Sequence, residues 1–156
     1  TTALTSKIWW IYEDDNGEWQ AKPVADIGDA SKIPLPVDIS ISSDDQLLWV
    51  DTWHDGKTRV FDISVPEKAF QIYEKKIGNQ INMLSQSWDG KRVYFTSSLL
   101  DNWDMREGDE GDLQYFKAYN WNGSSLEHKF SIDFIKEKLG SPHQMRFGSH
   151  SLYAMQ

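Results

Sequence analysis

The chain has 156 residues, no cysteine, an aromatic content of 13% and a formal net charge of −8 at pH 7. The acidic balance argues against a nucleic-acid partner, whose phosphates require a basic face. The absence of cysteine excludes disulfides and thiolate metal sites. No run of about 18 apolar residues is present, so we expect no membrane span.

The first predicted element is a hairpin. Lys7–Glu13 is an apolar, aromatic strand, and Asn16-Gly17 is a strong hairpin-turn signal. Residues 18–27 return as a second strand, in which Pro23 indicates an outer, edge-like position. Residues 28–36 then form a loop, because their prolines disfavour a helix.

Two longer units follow, each with four predicted strands. The first covers residues 37–75 and the second covers residues 81–132. An acidic insertion at residues 101–112 lacks the ligand spacing of a calcium loop, so we predict a solvated loop. A short helix is predicted at residues 133–140 near the C-terminus. About half a unit, residues 142–154, ends the chain.

The two long units repeat one hairpin about 45 residues apart. Their turn and strand positions correspond as follows: Ser42 to Ser87, Asp44 to Asp89, Leu48 to Val93, Trp49 to Tyr94 and Val50 to Phe95. A weaker third copy lies at residues 145–154, with its turn at Gly148-Ser149 and its strand pair at Leu152-Tyr153. Repeats of this length, built from short strands, predict an all-β protein of the β-propeller class. An antiparallel sandwich with similar hairpins is the alternative.

The repeats account for roughly three blades. Closed propellers have about four to eight blades, so the chain would be part of a larger propeller. We expect residues 1–156 to form one part of a single propeller domain, in approximate units 6–27, 37–75, 81–132 and 142–154. Tight contact with an N-terminal remainder of the same propeller is therefore expected.

Two residues are candidates for chemistry because they start predicted inner strands. The repeats place His143 at the same position as Asp38 and Met83, so the three would surround the central channel at one level. His143 is either a hydrogen-bonded structural residue or a metal ligand whose companions are distant in sequence. Asp38 either caps a turn or has a functional role, in which it orients a ligand histidine or accepts a proton.

Two of the other histidines are predicted to face solvent, His54 in a turn and His128 on an outer strand. His150 lies in the last turn. Phe61-Asp62 occupies the place where WD repeats end a strand with Trp-Asp, which favours a non-catalytic binding scaffold as an alternative function.

An ordered set of short motifs resembles the C-terminal part of the selenium-binding protein family, whose bacterial members are methanethiol oxidases. The motifs are Asp38-Ile39, Ser42-Ser43-Asp44-Asp45, Leu48, Phe61-Asp62-Ile63-Ser64, Asp89-Gly90-Lys91-Arg92-Val93-Tyr94, Thr96-Ser97-Ser98-Leu99, Trp103-Asp104, Leu139-Gly140 and His143. The resemblance implies a closed propeller of roughly three times this length.

The resemblance also implies a reaction, a cofactor and a ligand. The family oxidises methanethiol with O₂ and water to formaldehyde, hydrogen sulfide and hydrogen peroxide, and its bacterial members use copper. It implies that His143 is one metal ligand and that its companions come from N-terminal blades. A small thiol and O₂ would be the substrates.

Other features remain expectations. Bacterial relatives are commonly exported, so we expect a periplasmic location, with the cytoplasm as the alternative. A homo-oligomer stays open. A propeller hydrolase with a carboxylate-bound divalent metal is a third functional alternative.

Overall fold

A computed structural model of the protein describes residues 1–147, which form three antiparallel sheets. The N-terminal hairpin pairs β1 with β2. The first full blade has the strand order β3-β4-β5-β6, and the second has the order β10-β9-β8-β7. The strands are β1 Lys7–Glu13, β2 Trp19–Asp26, β3 Pro36–Ile41, β4 Leu47–Thr52, β5 Lys57–Asp62, β6 Phe70–Lys76, β7 Met83–Gln86, β8 Arg92–Thr96, β9 Tyr115–Trp121 and β10 Leu126–Asp133.

The predicted hairpin repeat is confirmed by identical turn chemistry in the two full blades. The Ser42 hydroxyl donates to Asp44 at 2.6 Å, and the Ser87 hydroxyl donates to Asp89 at 2.5 Å. The next residue has a left-handed backbone in both copies, with φ 58° at Asp45 and 66° in the second. Asp tolerates this conformation and Gly adopts it without steric cost, which explains the two turn sequences.

Strand β4 is buried on both faces because it lies between neighbouring sheets. Leu48 and Val50 pack toward the N-terminal hairpin, while Trp49 packs toward the second full blade. The rings of Trp49 and Trp121 meet edge-on at 5.0 Å between centroids, and Tyr73 contacts Trp121 at 5.2 Å. Consecutive sheets therefore bury each other's faces, as successive blades of a β-propeller do.

Polar contacts between the two full blades fix their relative position. Gln86 Nε2 donates to Ser40 Oγ at 2.7 Å, so the first strands β3 and β7 lie side by side. On the outside, the Leu126 N–H donates to the Tyr73 hydroxyl at 3.1 Å. No helix within residues 1–147 has the length and apolar character needed to cross a membrane.

The predicted helix at residues 133–140 is wrong. Asp133 does accept from the N–H groups of Ile135 and Lys136, as a capping residue would. The segment nevertheless forms only hydrogen-bonded turns, because Lys138 and Gly140 have φ values of 56° and 87°. Left-handed residues so close to the start leave no room for a second helical turn.

The predicted inner strand that starts at His143 is also wrong within the described residues, since residues 141–147 have no strand assignment. Their carbonyl groups bind side chains of the second full blade instead of a strand ladder. The Thr96 hydroxyl donates to the His143 carbonyl at 2.7 Å, and the Ser85 hydroxyl donates to the Met145 carbonyl at 2.8 Å. The predicted turn, strand pair and histidine at 148–154 lie outside the described residues.

Candidate functional site

A groove of about 540 Å³ lies between the first strands of the two full blades and residues 144–147. We call it the first-strand groove; β3 contributes residues 38–41, and β7 with its following turn contributes residues 84–88. It forms because β3 and β7 are neighbours, so their groove-facing side chains converge. Asp38 lies in its wall, and His143 immediately precedes the segment that closes it.

Asp38 joins the two full blades. Its Oδ2 accepts from the Leu84 N–H at 2.9 Å, and its Oδ1 accepts from the Ile39 N–H at 2.9 Å. Burial raises the pKa of Asp38 above its usual value, and the two N–H bonds and the charge of Arg146 oppose this shift. The residue is therefore more than a turn cap, because it bridges blades and is half-buried beside the groove.

The exposed ring of His143 is oriented by backbone of the second full blade. Nδ1 lies 2.9 Å from the Ser98 carbonyl oxygen, which also accepts from Asn82 Nδ2 at 2.6 Å. Asn82 Nδ2 also lies 3.2 Å from Nδ1. The carbonyl contact is the shorter of the two and a carbonyl oxygen only accepts, so we assign the proton to Nδ1 and the lone pair to Nε2. Metal-ligating histidines usually donate their other ring N–H to a carbonyl or carboxylate, so this arrangement is compatible with a ligand at Nε2.

Asp104 holds the backbone that orients His143. It is 4% exposed, its Oδ2 accepts from the Ser98 hydroxyl at 2.6 Å, and its Oδ1 accepts from the Leu99 N–H at 3.0 Å. Gln114 Nε2 donates to the same Oδ2 at 2.9 Å. The prediction of a uniformly solvated insertion is therefore wrong at Asp104, because its carboxylate ties the insertion to the end of β8.

The other two described histidines, His54 and His128, do not line the groove. His54 is exposed, with Nδ1 2.7 Å from the Ile33 carbonyl, and His128 is exposed beside Ser131. A carbonyl bond at Nδ1 is therefore not unique to His143, and its position beside the groove is what distinguishes it. Among residues 1–147, no three His, Cys, Asp or Glu side chains form a group able to hold a metal ion.

Asp51, the last but one residue of β4, is not among the site residues predicted from the sequence. Its side chain is fully buried, and β4 pairs it with Asp38 on β3 and with Thr58 on β5. Within residues 1–147 neither of its carboxylate oxygens has a hydrogen-bond partner. A signal was present, since this carboxylate directly follows the apolar run of residues 47–50.

Sheets stacked face to face, with adjacent first strands and a groove along them, define a β-propeller. Comparison of folds agrees. A periplasmic gluconolactonase from Pseudomonas aeruginosa superposes with a TM-score of 0.68 at 14% identity, covering 92% of this chain and 37% of that one. A hypothetical selenium-binding protein from Sulfolobus tokodaii gives 0.68 at 29% identity, covering 85% and 36%.

The chain belongs to the 56kDa selenium binding protein (SBP56) family, whose family model matches residues 1–151. It is 65% identical to a methanethiol oxidase of Ruegeria pomeroyi over 154 residues, 99% of this chain and 35% of that protein. It is 59% identical to a methanethiol oxidase of Hyphomicrobium sp. over 148 residues, 95% of this chain and 34% of that protein. The chain thus spans about a third of the length of these relatives.

Proposed function

We propose that the protein is a methanethiol oxidase to which this chain contributes one wall of the active channel. The reaction converts methanethiol, O₂ and water to formaldehyde, hydrogen sulfide and hydrogen peroxide. Identity of 65% and 59% to proteins of that name supports the activity. The N-terminal remainder of the propeller is the expected partner, because the curated relatives are about three times as long.

One observation carries the assignment of the ligand. His143 donates through Nδ1 to the Ser98 carbonyl at 2.9 Å, and its ring is exposed next to the first-strand groove. Nε2 is then free to coordinate a metal ion, and the ring orientation is set before the metal binds. In the described part of the chain no further ligand lies close by, so companion ligands would come from other blades.

Copper fits this arrangement, because neutral imidazole is a favourable copper ligand. When bound, copper would supply the electron transfer between thiol and O₂ that the protein side chains cannot provide. His143 would hold the ion, and the Ser98 carbonyl would keep the proton on Nδ1, away from the coordinating nitrogen.

Asp38 is the proposed proton acceptor of the groove. Its two oxygens each accept one N–H, so each retains a lone pair for a further proton donor. Its partial burial raises its pKa, which makes it a better base than a fully solvated aspartate. The thiol proton of a bound substrate is the proton that it would accept.

The test is the variant His143→Ala in the full-length protein. Copper per protein, methanethiol-dependent peroxide and thermal midpoint are measured together. We expect loss of copper and a decrease in activity of at least tenfold to a hundredfold, since even the loss of a residue behind a ligand costs that much. The thermal midpoint should change little, because the ring is exposed.

His54→Ala is the matched control, since its Nδ1 also bonds a backbone carbonyl but it lies away from the groove. It should retain copper and activity. Full copper and activity in His143→Ala would contradict the ligand assignment. A wild-type protein that binds no copper and releases no peroxide would instead support the binding-scaffold alternative.

A further inference from the structure

Asp51 is an acidic residue whose side chain is buried where, within residues 1–147, neither solvent nor a hydrogen bond stabilises a negative charge. It is 0% exposed, and in the described part of the chain it makes no ion pair and no hydrogen bond. The groups in register with it are Asp38 on one side and Thr58 on the other. The Thr58 hydroxyl is itself without a hydrogen-bond partner among residues 1–147.

The neighbouring charges are unfavourable to an ionised Asp51. Asp38 lies opposite Asp51 on the neighbouring strand, next to a register irregularity, and is close enough for its charge to act on Asp51. Tyr115, on β9 of the next blade, faces the same region and donates its hydroxyl to the Gln80 carbonyl at 2.5 Å. Lys117 lies against the Tyr115 ring but is held by Asp112 and a backbone carbonyl.

Ionising both of two neighbouring carboxyl groups is unfavourable because their charges repel each other. The desolvation penalty for the charged form is larger for the carboxyl group that accepts no hydrogen bond. Asp38 has two backbone N–H donors, whereas Asp51 has none within the described residues. We propose that Asp38 and Asp51 hold one proton between them at neutral pH, with Asp51 the neutral acid and Asp38 the carboxylate.

The electrostatic surroundings of Asp51 are consistent with this pairing. Burial raises the pKa of Asp51 well above its usual value, and the charge of Asp38 raises it further. Thr58 is near enough to oppose the shift, although it is not in hydrogen-bonding geometry. Carboxyl pairs whose environments push their pKa values apart separate into an acid and a base.

Asp51 would act on the groove indirectly, through its effect on the charge of Asp38. A neutral Asp51 adds no negative charge beside Asp38, so Asp38 stays ionised and able to accept a proton. Asp51 does not reach the groove itself, since it is fully buried and absent from the groove lining. The protonation state is independent of the proposed reaction, so either can fail without the other.

Infrared difference spectroscopy on the full-length protein at pH 7 tests the proposal. Wild type minus Asp51→Asn should show loss of a carbonyl stretch from a protonated carboxyl group. Asp62→Asn, in the same blade, is the control; Asp62 accepts from the Ser64 hydroxyl and N–H, which lower its pKa. That variant should lose only a carboxylate band. A carboxylate band lost in Asp51→Asn would overturn the proposal.

Unfolding measured against pH gives a second readout. A raised pKa in the folded state means that stability is lost as pH rises from the unfolded value of about 3.9 toward the folded value. Within that window the unfolding constant of wild type should rise up to about tenfold per pH unit relative to Asp51→Asn. Parallel curves for the two proteins would contradict a neutral Asp51.

If Asp51→Asn does not fold, Asp38→Asn decides the question. The protonated-carboxyl band should persist in that variant, because burial and not Asp38 is the main reason that Asp51 is neutral. Disappearance of the band in Asp38→Asn would show that Asp38 carries the proton and would overturn the assignment.

Discussion

Replacing Asp104 by Asn tests whether the insertion positions His143. The carboxylate accepts three hydrogen bonds, from the Ser98 hydroxyl, the Leu99 N–H and the Gln114 amide. Asn has one acceptor oxygen and an NH₂ donor, so at least one of these bonds is lost. A hydrogen bond to a charged group contributes roughly 1.5–3 kcal/mol, and we expect the free energy of unfolding to fall by about that amount.

The same substitution should weaken metal binding, because the Ser98 carbonyl is the acceptor for His143 Nδ1. Removing a group that orients a ligand typically reduces metal affinity about tenfold to a hundredfold. The full-length protein is titrated with copper against a competing chelator, and its unfolding is followed with denaturant. The expected result for Asp104→Asn is a loss of both stability and copper affinity.

Asp89→Asn is a matched control within the same blade. Asp89 accepts from the Ser87 hydroxyl at 2.5 Å and from the Lys91 N–H at 3.1 Å, but it precedes β8 whereas the Ser98 backbone follows it. This control should keep its copper affinity. Asp104 does not position His143 if Asp104→Asn loses stability and keeps full copper affinity, or if both variants weaken copper binding equally.

Two further predictions concern stability of the full-length protein. Gly56→Ala should destabilise by more than about 1 kcal/mol in denaturant unfolding, because φ is +62° and a Cβ would lie 2.0 Å from the Gly78 carbonyl oxygen. Gly123→Ala, at φ +92° with open space around it, should cost less; equal losses would contradict the clash. The hydrogen bond from Lys57 lowers the pKa of Glu74 in the folded protein. The ionised Glu74 therefore stabilises the fold fully at pH values above its usual pKa of 4.5, and this stabilisation is lost as the pH falls below that value. In Glu74→Gln the thermal midpoint should therefore fall less steeply as the pH is lowered below about 4.5. An unchanged slope in this pH range would exclude the contribution of Glu74 to stability.

The sequence alone predicted the strands and the repeat because both depend on local signals. Lys7–Glu13 was predicted as a strand with the bounds that the structure has, and the two Ser-x-Asp turns have the same hydrogen bonds. Alternation of apolar residues and turn chemistry act over a few residues, so they can be identified without tertiary information.

The helix prediction failed because local signals competed. Asp133 provides a capping side chain, but left-handed conformations at Lys138 and Gly140 end the segment after one turn. The strand prediction at His143 failed because strand assignment requires a partner ladder, and residues 142–145 give their carbonyls to the Ser98 N–H and to two hydroxyl side chains.

The candidate site combines both kinds of information. Asp38 and His143 were singled out by the repeat register and the family resemblance, and neither source could show their partners. Asp38 and its partner Leu84 are 46 residues apart in the sequence. Asp104 binds Ser98, and Ser98 binds His143, which is 45 residues further along the chain. Such contacts depend on how blades stack, which no local pattern records.

Asp51 shows most clearly which properties follow from the sequence and which depend on the tertiary structure. By itself the sequence determined that an aspartate follows an apolar run in a strand, which is compatible with a solvated strand end. Only the tertiary structure decided that this strand lies between two other sheets, so that its last residues are buried and the carboxyl group is left beside Asp38. The physical reason is that desolvation depends on what covers a side chain from outside its own strand.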